Sequence, residues 1–181
     1  MIKDLKIVVF GCDNTGKTTL CNSLVEKLNA KGYDAEIAKS IGANKSVEEY
    51  VDFMESNLEK ENVVIFDRFP IIEEATCGRV LRNNDIFGKW ESQDIMDLID
   101  SVDTFIFCYP GLFEVMNWGE REQMDGIKEN VSKLIDAYNQ MAIALVKIGA
   151  VVVEYNYKVD TVDNIVELLD GGTIDEHNSC G

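Results

Sequence analysis

Eight consecutive residues, Gly11-Cys12-Asp13-Asn14-Thr15-Gly16-Lys17-Thr18, spell the pattern G-x-x-x-x-G-K-[ST] in full. The spacing has a chemical reason. Glycines let the backbone curl until successive amide N–H groups converge on one anion. A helix opening at the end of the curl adds its partial positive charge. Lys17 is then placed to reach the β- and γ-phosphates of a nucleoside triphosphate, and the Thr18 hydroxyl to ligate Mg²⁺. A second polar pair stands at the tip of an apolar run, in Val63-Val64-Ile65-Phe66-Asp67-Arg68-Phe69-Pro70. The Asp can orient Mg²⁺ or its water shell, or accept a hydrogen bond from an acceptor molecule. The Arg can hold a second phosphate group. A plain ATPase does not require that Arg. A kinase with a phosphorylated acceptor does, because cations must screen the repulsion between two anionic phosphates.

The rest of the composition narrows the chemistry. The chain has 181 residues, 46% of them hydrophobic, and a net charge of -16. That apolar fraction fits a folded chain rather than a disordered one. The acidity disfavours general DNA or RNA binding. No apolar run approaches the roughly 18 residues of a membrane helix, and the N-terminus lacks a signal-peptide pattern. A soluble cytoplasmic protein with no nucleic-acid or membrane partner is the expectation. The only arginines are Arg68, Arg79, Arg82 and Arg121. Some of them are expected at a phosphate site, with surface salt bridging the alternative for Arg79 and Arg82. The five cysteines, Cys12, Cys21, Cys77, Cys108 and Cys180, are odd in number and match no zinc spacing. They read as reduced thiols. The only histidine, His177, lies in a polar Gly-rich tail and is not expected to be catalytic.

These residues need elements to position them. Lys6–Phe10 reads as a buried strand, and Thr18–Leu28 carries apolar residues at helical spacing until Lys31-Gly32 closes it. Strands are also expected at Ala35–Ala38, Val63–Phe66, Thr104–Cys108 and Ala150–Val153. Helices are expected at Val47–Leu58, Gly126–Lys147 and Val162–Leu169, with Pro70 in the first turn of another. Residues 71 to 101 look mainly helical, broken around Asn83-Asn84 and Gly88, while 112 to 125 are polar and unassigned. Strands alternating with helices imply an α/β fold: a five-stranded parallel sheet with helices on both faces and right-handed crossovers. Ligands in such folds bind at the carboxyl ends of the strands, here just after Phe10, Ala38, Phe66 and Cys108. One domain over 1–170 is expected, followed by a disordered tail at 171–181.

The chain resembles the thymidylate kinase family of nucleoside monophosphate kinases over roughly residues 5 to 150. Gly11 to Thr19 is similar to the family's G-x-D-x-x-G-K-[ST]-T, including Asp13. Ala43-Asn44-Lys45 looks like its A-N-R, with Lys45 in place of the phosphate-binding Arg. Asp67-Arg68-Phe69 matches its D-R-[YF]. Gly119-Glu120-Arg121-Glu122 sits where the family has a mobile lid, here about 112–125, and precedes a long helix containing Tyr138. The resemblance implies a P-loop kinase fold with a short lid, ATP and Mg²⁺ as cofactors, a nucleoside monophosphate as partner, and a homodimer. It places Gly11, Asn14, Thr15, Gly16, Lys17, Thr18 and Thr19 on the triphosphate. It places Asp13, Ile41, Lys45, Asp67, Arg68, Phe69 and Thr76 on the acceptor, with Thr18 and Asp67 at the metal. Lys17, Arg121, Asp13 and Asp67 are the candidate catalytic residues. Asn14 leaves the P-loop without the arginine that some members carry, so Arg121 is the expected cation over the transferring phosphoryl. The departures fall on the base-handling side. Ile41 stands where a thymine-stacking Phe is usual, and Thr76-Cys77 where an aromatic and a polar residue are.

The expected reaction is ATP-dependent phosphorylation of a nucleoside monophosphate, with a pyrimidine deoxynucleotide such as dTMP or a modified dUMP as acceptor. The alternatives are a deoxynucleoside kinase and, from another class, a regulatory GTPase. For the latter, Asp85-Ile86-Phe87-Gly88 spells D-x-x-G but follows no buried strand, and Asn44-Lys45-Ser46-Val47 lacks the final Asp of N-K-x-D.

Overall fold

The computed structural model describes residues 4–83, 86–89, 92–116 and 127–171. Five strands form one sheet, in the order β2-β3-β1-β4-β5: β1 (Lys6–Phe10), β2 (Ala35–Lys39), β3 (Val63–Asp67), β4 (Thr104–Cys108) and β5 (Val152–Tyr155). Every pairing is parallel, with Val9 opposite Asp67, Phe10 opposite Phe107 and Cys108 opposite Tyr155. This is the expected α/β architecture. The two-residue period of β1 explains its layers. Val8 and Phe10 enter one core with Phe66, Phe105 and Phe107. Ile7 and Val9 enter the other with Ile65 and Ile106.

Helix α1 (Lys17–Ala30) covers the second core through Leu20, Leu24 and Leu28, beside α8 (Val162–Leu169). The first core lies under α2 (Val47–Leu58) and the long α7 (Ile127–Lys147). Between β3 and β4 run α3 (Pro70–Glu73), a π-helical turn over Glu74–Gly78, α4 (Arg79–Arg82), a 3₁₀ turn at Ile86–Lys89 and α5 (Ser92–Asp100). The expected break near Asn83 is present, and Asn83 takes the left-handed conformation that ends α4. Part of the expected lid forms α6 (Leu112–Met116). Residues 117–126, with Arg121, lie outside the described residues, as does the expected tail beyond Gly171.

One expected boundary is corrected. The last strand begins at Val152, not Ala150. The amides of Gly149 and Ala150 are used in closing α7, donating to the carbonyls of Val146 and Leu145 across Gly149 at φ +91°. The strand's last residue therefore becomes Tyr155, whose carbonyl accepts from the Tyr109 amide.

Candidate active site

The chain caps its helices unequally. Helices α2 and α8 each open with a capping box, Ser46 with Glu49 and Thr161 with Asn164. Helix α1 opens on Gly16 in the left-handed region, with no side-chain cap. Its first amides are thus left for another acceptor, and the loop supplies their surroundings. Gly11 (φ +141°) starts the curl beneath the end of β4, where a Cβ would lie 2.4 Å from the Cys108 carbonyl oxygen. The Thr15 hydroxyl donates to the Cys12 carbonyl at 2.8 Å, and Lys17 Nζ donates to the same oxygen at 2.6 Å. Lys17 is 5% exposed, so its ammonium is held over the loop rather than waving in water. On the α1 side, Asn14, Gly16, Thr19, Tyr155, Tyr157 and Val162 line a groove of about 270 Å³. The Tyr157 ring lies against Gly16, 3.3 Å from where a Cβ would stand.

Across the carboxyl edge, the Thr18 hydroxyl donates to Asp67 Oδ2 at 2.8 Å, joining the two sequence motifs. Asp67 Oδ1 is buried with no hydrogen-bond partner. The next residue, Arg68, holds φ +81°, a left-handed backbone rare for a residue with a Cβ. Such strain costs about 1–3 kcal/mol and persists where surrounding structure enforces it. Here the Arg68 amide donates to the Val9 carbonyl at 3.2 Å. The side chain turns back toward the P-loop: Nη2 donates to Asp13 Oδ1 at 2.6 Å and Nη1 to Glu73 Oε2 at 2.9 Å. Burial disfavours the Arg68 charge, but Glu73 and Asp13 more than offset this and move its pKa upward. The Tyr138 hydroxyl donates to Glu73 Oε1 at 2.8 Å, leaving its oxygen to accept from the Cys77 thiol at 3.3 Å. Burial, then Glu73, raises the Tyr138 pKa well above its ordinary value.

Tyr50, Arg68, Glu73, Glu74, Cys77 and Arg82 are among the residues that line a cavity of about 180 Å³. Arg82 Nη2 donates to Glu74 Oε1 at 2.5 Å. These residues stand eight apart. The intervening π turn inserts one residue, so they share a face as residues two full turns apart do in an uninterrupted α-helix. The Tyr50 hydroxyl has one hydrogen and two acceptors in reach, the Gly42 carbonyl at 3.0 Å and Glu74 Oε1 at 3.1 Å.

No family model matches the sequence, and no curated protein matches it. Solved structures do. YorR from Bacillus subtilis, in complex with phosphorylated GDP, is 14% identical, with 91% of this chain and 95% of that one covered at a TM-score of 0.70. Deoxyadenosine kinase from M. mycoides with bound dATP is 17% identical, covering 92% and 98% at 0.57. Thymidylate kinase from Ehrlichia chaffeensis is also 17% identical, covering 93% and 99% at 0.51. The chain has the fold of the P-loop kinases.

Within that fold, the residues expected at the site separate into groups. Gly11, Gly16, Lys17 and Thr18 form the loop and helix start as expected, and Asp13 and Asp67 meet Arg68 and Thr18 across it. Four expected acceptor contacts are not brought to the cavity. Phe69 is fully buried, packed edge-on against Phe66 at 5.2 Å between ring centroids, because the reversal at Arg68 turns it into the core. Thr76 is buried and its hydroxyl donates back to the Ile72 carbonyl at 2.7 Å. Ile41 packs against the first core. Lys45 pairs with Glu49 at 3.2 Å on the surface, one helical turn along α2's start. Tyr50, Glu73 and Glu74 went unread as site residues in the sequence. Tyr50 shows the spacing of a core residue, and the two glutamates fall in the stretch 71 to 101, which reads only as mainly helical.

The described cysteines are poor nucleophiles. Burial raises the thiols of Cys12 to about 11 and of Cys77 and Cys108 to about 12, and that of Cys21 higher still. A raised thiol pKa keeps the protonated form, so at pH 8 on the order of one thiol in a thousand or fewer is thiolate. A Cys180→Ala variant is therefore expected to resist iodoacetamide at pH 8 while folded and to take up four labels in denaturant, as read by intact mass.

Proposed function

We propose that this protein transfers the γ-phosphoryl group of ATP to a nucleoside monophosphate, a pyrimidine deoxynucleotide such as dTMP or a modified dUMP. The observation that carries the reading is the Arg68 guanidinium. A strained backbone turns it into a cavity, where it contacts Asp13 of the same loop that holds Lys17. Two cations beyond the carboxyl ends of neighbouring parallel strands suit a donor and an acceptor that are both anionic. The triphosphate lies on the uncapped start of α1, with its base toward the Tyr157 groove. The acceptor phosphate lies on Arg68. Lys17 follows the charge that develops on the β- and γ-oxygens. An acceptor oxygen attacks phosphorus directly, so no protein nucleophile is needed and catalysis is positioning plus charge screening. Arg121, on the expected lid, is the proposed third cation. The thymidylate and deoxyadenosine kinases that share the fold support nucleotide chemistry at this edge.

Thr18 and Asp67 fit Mg²⁺. Both offer hard oxygen donors, and the unpartnered, buried Asp67 Oδ1 is an acceptor in need of a cation. When bound there, Mg²⁺ supplies neutralisation of phosphate charge.

One observation favours a second reading. Asp13 and Glu73 bracket Arg68 and already offset its charge. A carboxylate beside an arginine also suits an acceptor hydroxyl that must lose a proton, which would make the substrate a deoxynucleoside. A coupled assay of ADP release separates the two, with ATP, Mg²⁺ and a panel of deoxy- and ribonucleoside monophosphates run beside the nucleosides. Turnover of a monophosphate upholds the proposal, and turnover of nucleosides alone replaces it with the second reading. Arg68→Gln is expected to raise KM for the monophosphate roughly 10- to 100-fold, the worth of a charged hydrogen bond, with little change for ATP. Equal changes in both would contradict the assignment.

A further inference from the structure

Arg68 faces more carboxylate than one guanidinium offsets. Asp13 holds Nη2 at 2.6 Å and Glu73 holds Nη1 at 2.9 Å, and the two acidic side chains are only 16% and 14% exposed. A phosphate that docks on Arg68 needs those same N–H groups, and it brings up to two further negative charges. The two carboxylates are placed differently for that arrival. Asp13 has a second cation, Lys17 Nζ at 4.0 Å on the same loop. Glu73 has Arg68 as its one ion-pair partner among the described residues. The other groups around it give no relief. Glu74, the next residue, is itself an acid and already takes Arg82, and the Tyr50 hydroxyl from α2 is in reach of the same Glu74 oxygen. From α7, Tyr138 brings a neutral hydroxyl. The thiols of Cys77 in the π turn and Cys12 in the P-loop stay protonated, because burial raises both.

We propose that Glu73 is a proton-accepting residue of the acceptor site, taking a proton from solvent as the acceptor phosphate displaces it from Arg68. This rests on the reading of Arg68 as the acceptor-phosphate site. A largely buried carboxylate that loses its cation beside a dianion is disfavoured as an ion, and it neutralises instead. The exchange balances. The Arg68 Nη1 hydrogen bond passes from Glu73 Oε2 to a phosphate oxygen, and a proton from the buffer forms an O–H bond on Glu73. A dianion then adds one negative charge to the site rather than two. Tyr138 suits both forms of Glu73. Its hydroxyl donates to Glu73 Oε1 in the empty site, and its oxygen can instead accept from a Glu73 O–H while the hydroxyl hydrogen turns to Cys77 Sγ, 3.3 Å away. A glutamate here gives the site two states, a caged arginine when empty and an open one when the phosphate is seated.

Isothermal titration of the full chain tests this, using dTMP, dUMP, dCMP and the matching nucleosides in phosphate-free buffers of low and high ionisation enthalpy, which together count the protons exchanged. At about pH 7.5 the second phosphate ionisation, near 6, is almost complete, so a dianion held by cations alone releases a small fraction of a proton. The wild type is expected to do the reverse and take up about 0.3 to 1 proton per monophosphate, with none per nucleoside. By linkage, Kd for the monophosphate rises roughly 2- to 10-fold per pH unit between about 7 and 8. Glu73→Gln keeps the shape and an oxygen for Tyr138 but has no proton to exchange, so uptake is expected to vanish and Kd to flatten with pH. Asp13→Asn is expected to keep the uptake. Proton release or no exchange in the wild type overturns the proposal, as does uptake that survives Glu73→Gln or that Asp13→Asn abolishes. Equal uptake with nucleosides also overturns it, since no phosphate then reaches Arg68. The sign in the wild type needs no variant, so a poorly folding Glu73→Gln does not protect the idea. Nucleosides that bind where no monophosphate does would remove the acceptor reading and the proposal with it, a result told apart by the missing monophosphate isotherm.

Discussion

Lys17→Met is expected to lower kcat by at least about 10²- to 10³-fold, the range for removing one preorganised charge from a developing oxyanion. Methionine keeps the apolar stem that packs in the buried site and removes only the ammonium. The loop has a second brace for the oxygen that Lys17 now contacts, since the Cys12 carbonyl still accepts from Thr15. Stability should therefore fall by no more than about 1 kcal/mol, one ordinary hydrogen bond. Thermal melting and a single-turnover assay check the two halves separately. A variant that melts normally and turns over within a few-fold of the wild type would remove Lys17 from catalysis.

Gly11→Ala is expected to damage fold and site together. At φ +141° a Cβ is strained on its own, at roughly 1–3 kcal/mol. The same Cβ would sit 2.4 Å from the Cys108 carbonyl oxygen, which is backbone of a central strand and cannot swing aside. Overpacking of that kind adds roughly 1–3 kcal/mol. Together these lower Tm by roughly 5–20 °C for a chain of this size. The loop that escapes the clash no longer presents its amides together, so ATP should give little thermal stabilisation. Differential scanning calorimetry with and without ATP–Mg²⁺ reads both. An unchanged Tm would mean that the loop passes the end of β4 by a different route.

Much of this arrangement was legible in the sequence, and the reasons are local. β1, β4, α2 and α8 begin and end at the expected residues because each combines an unbroken period with a clear boundary signal, as Ser46 and Glu49 do for α2. The P-loop was legible because its motif encodes backbone geometry. The acceptor side was less so. Phe69, Thr76, Ile41 and Lys45 were expected there by resemblance, but where a side chain points depends on tertiary detail. One left-handed residue, Arg68, turns Phe69 inward. One π turn brings Glu74 and Arg82 to the cavity, and no spacing rule for a regular helix anticipates it. Tyr50 satisfies both descriptions at once, with a ring in the core and a hydroxyl at the site.

The bracketing of Arg68 by Asp13 and Glu73 has a consequence for what the pocket ignores. A small anion arriving alone, such as inorganic phosphate or sulfate, must displace two carboxylates already seated on the guanidinium, and it brings only its own charge to do so. On the proposed reading, a whole acceptor also brings a base and a sugar, whose contacts elsewhere in the cavity can drive that rearrangement. The caged arginine thus acts as a filter against fragments. On that reading, it admits a phosphate only when the rest of the right molecule comes attached.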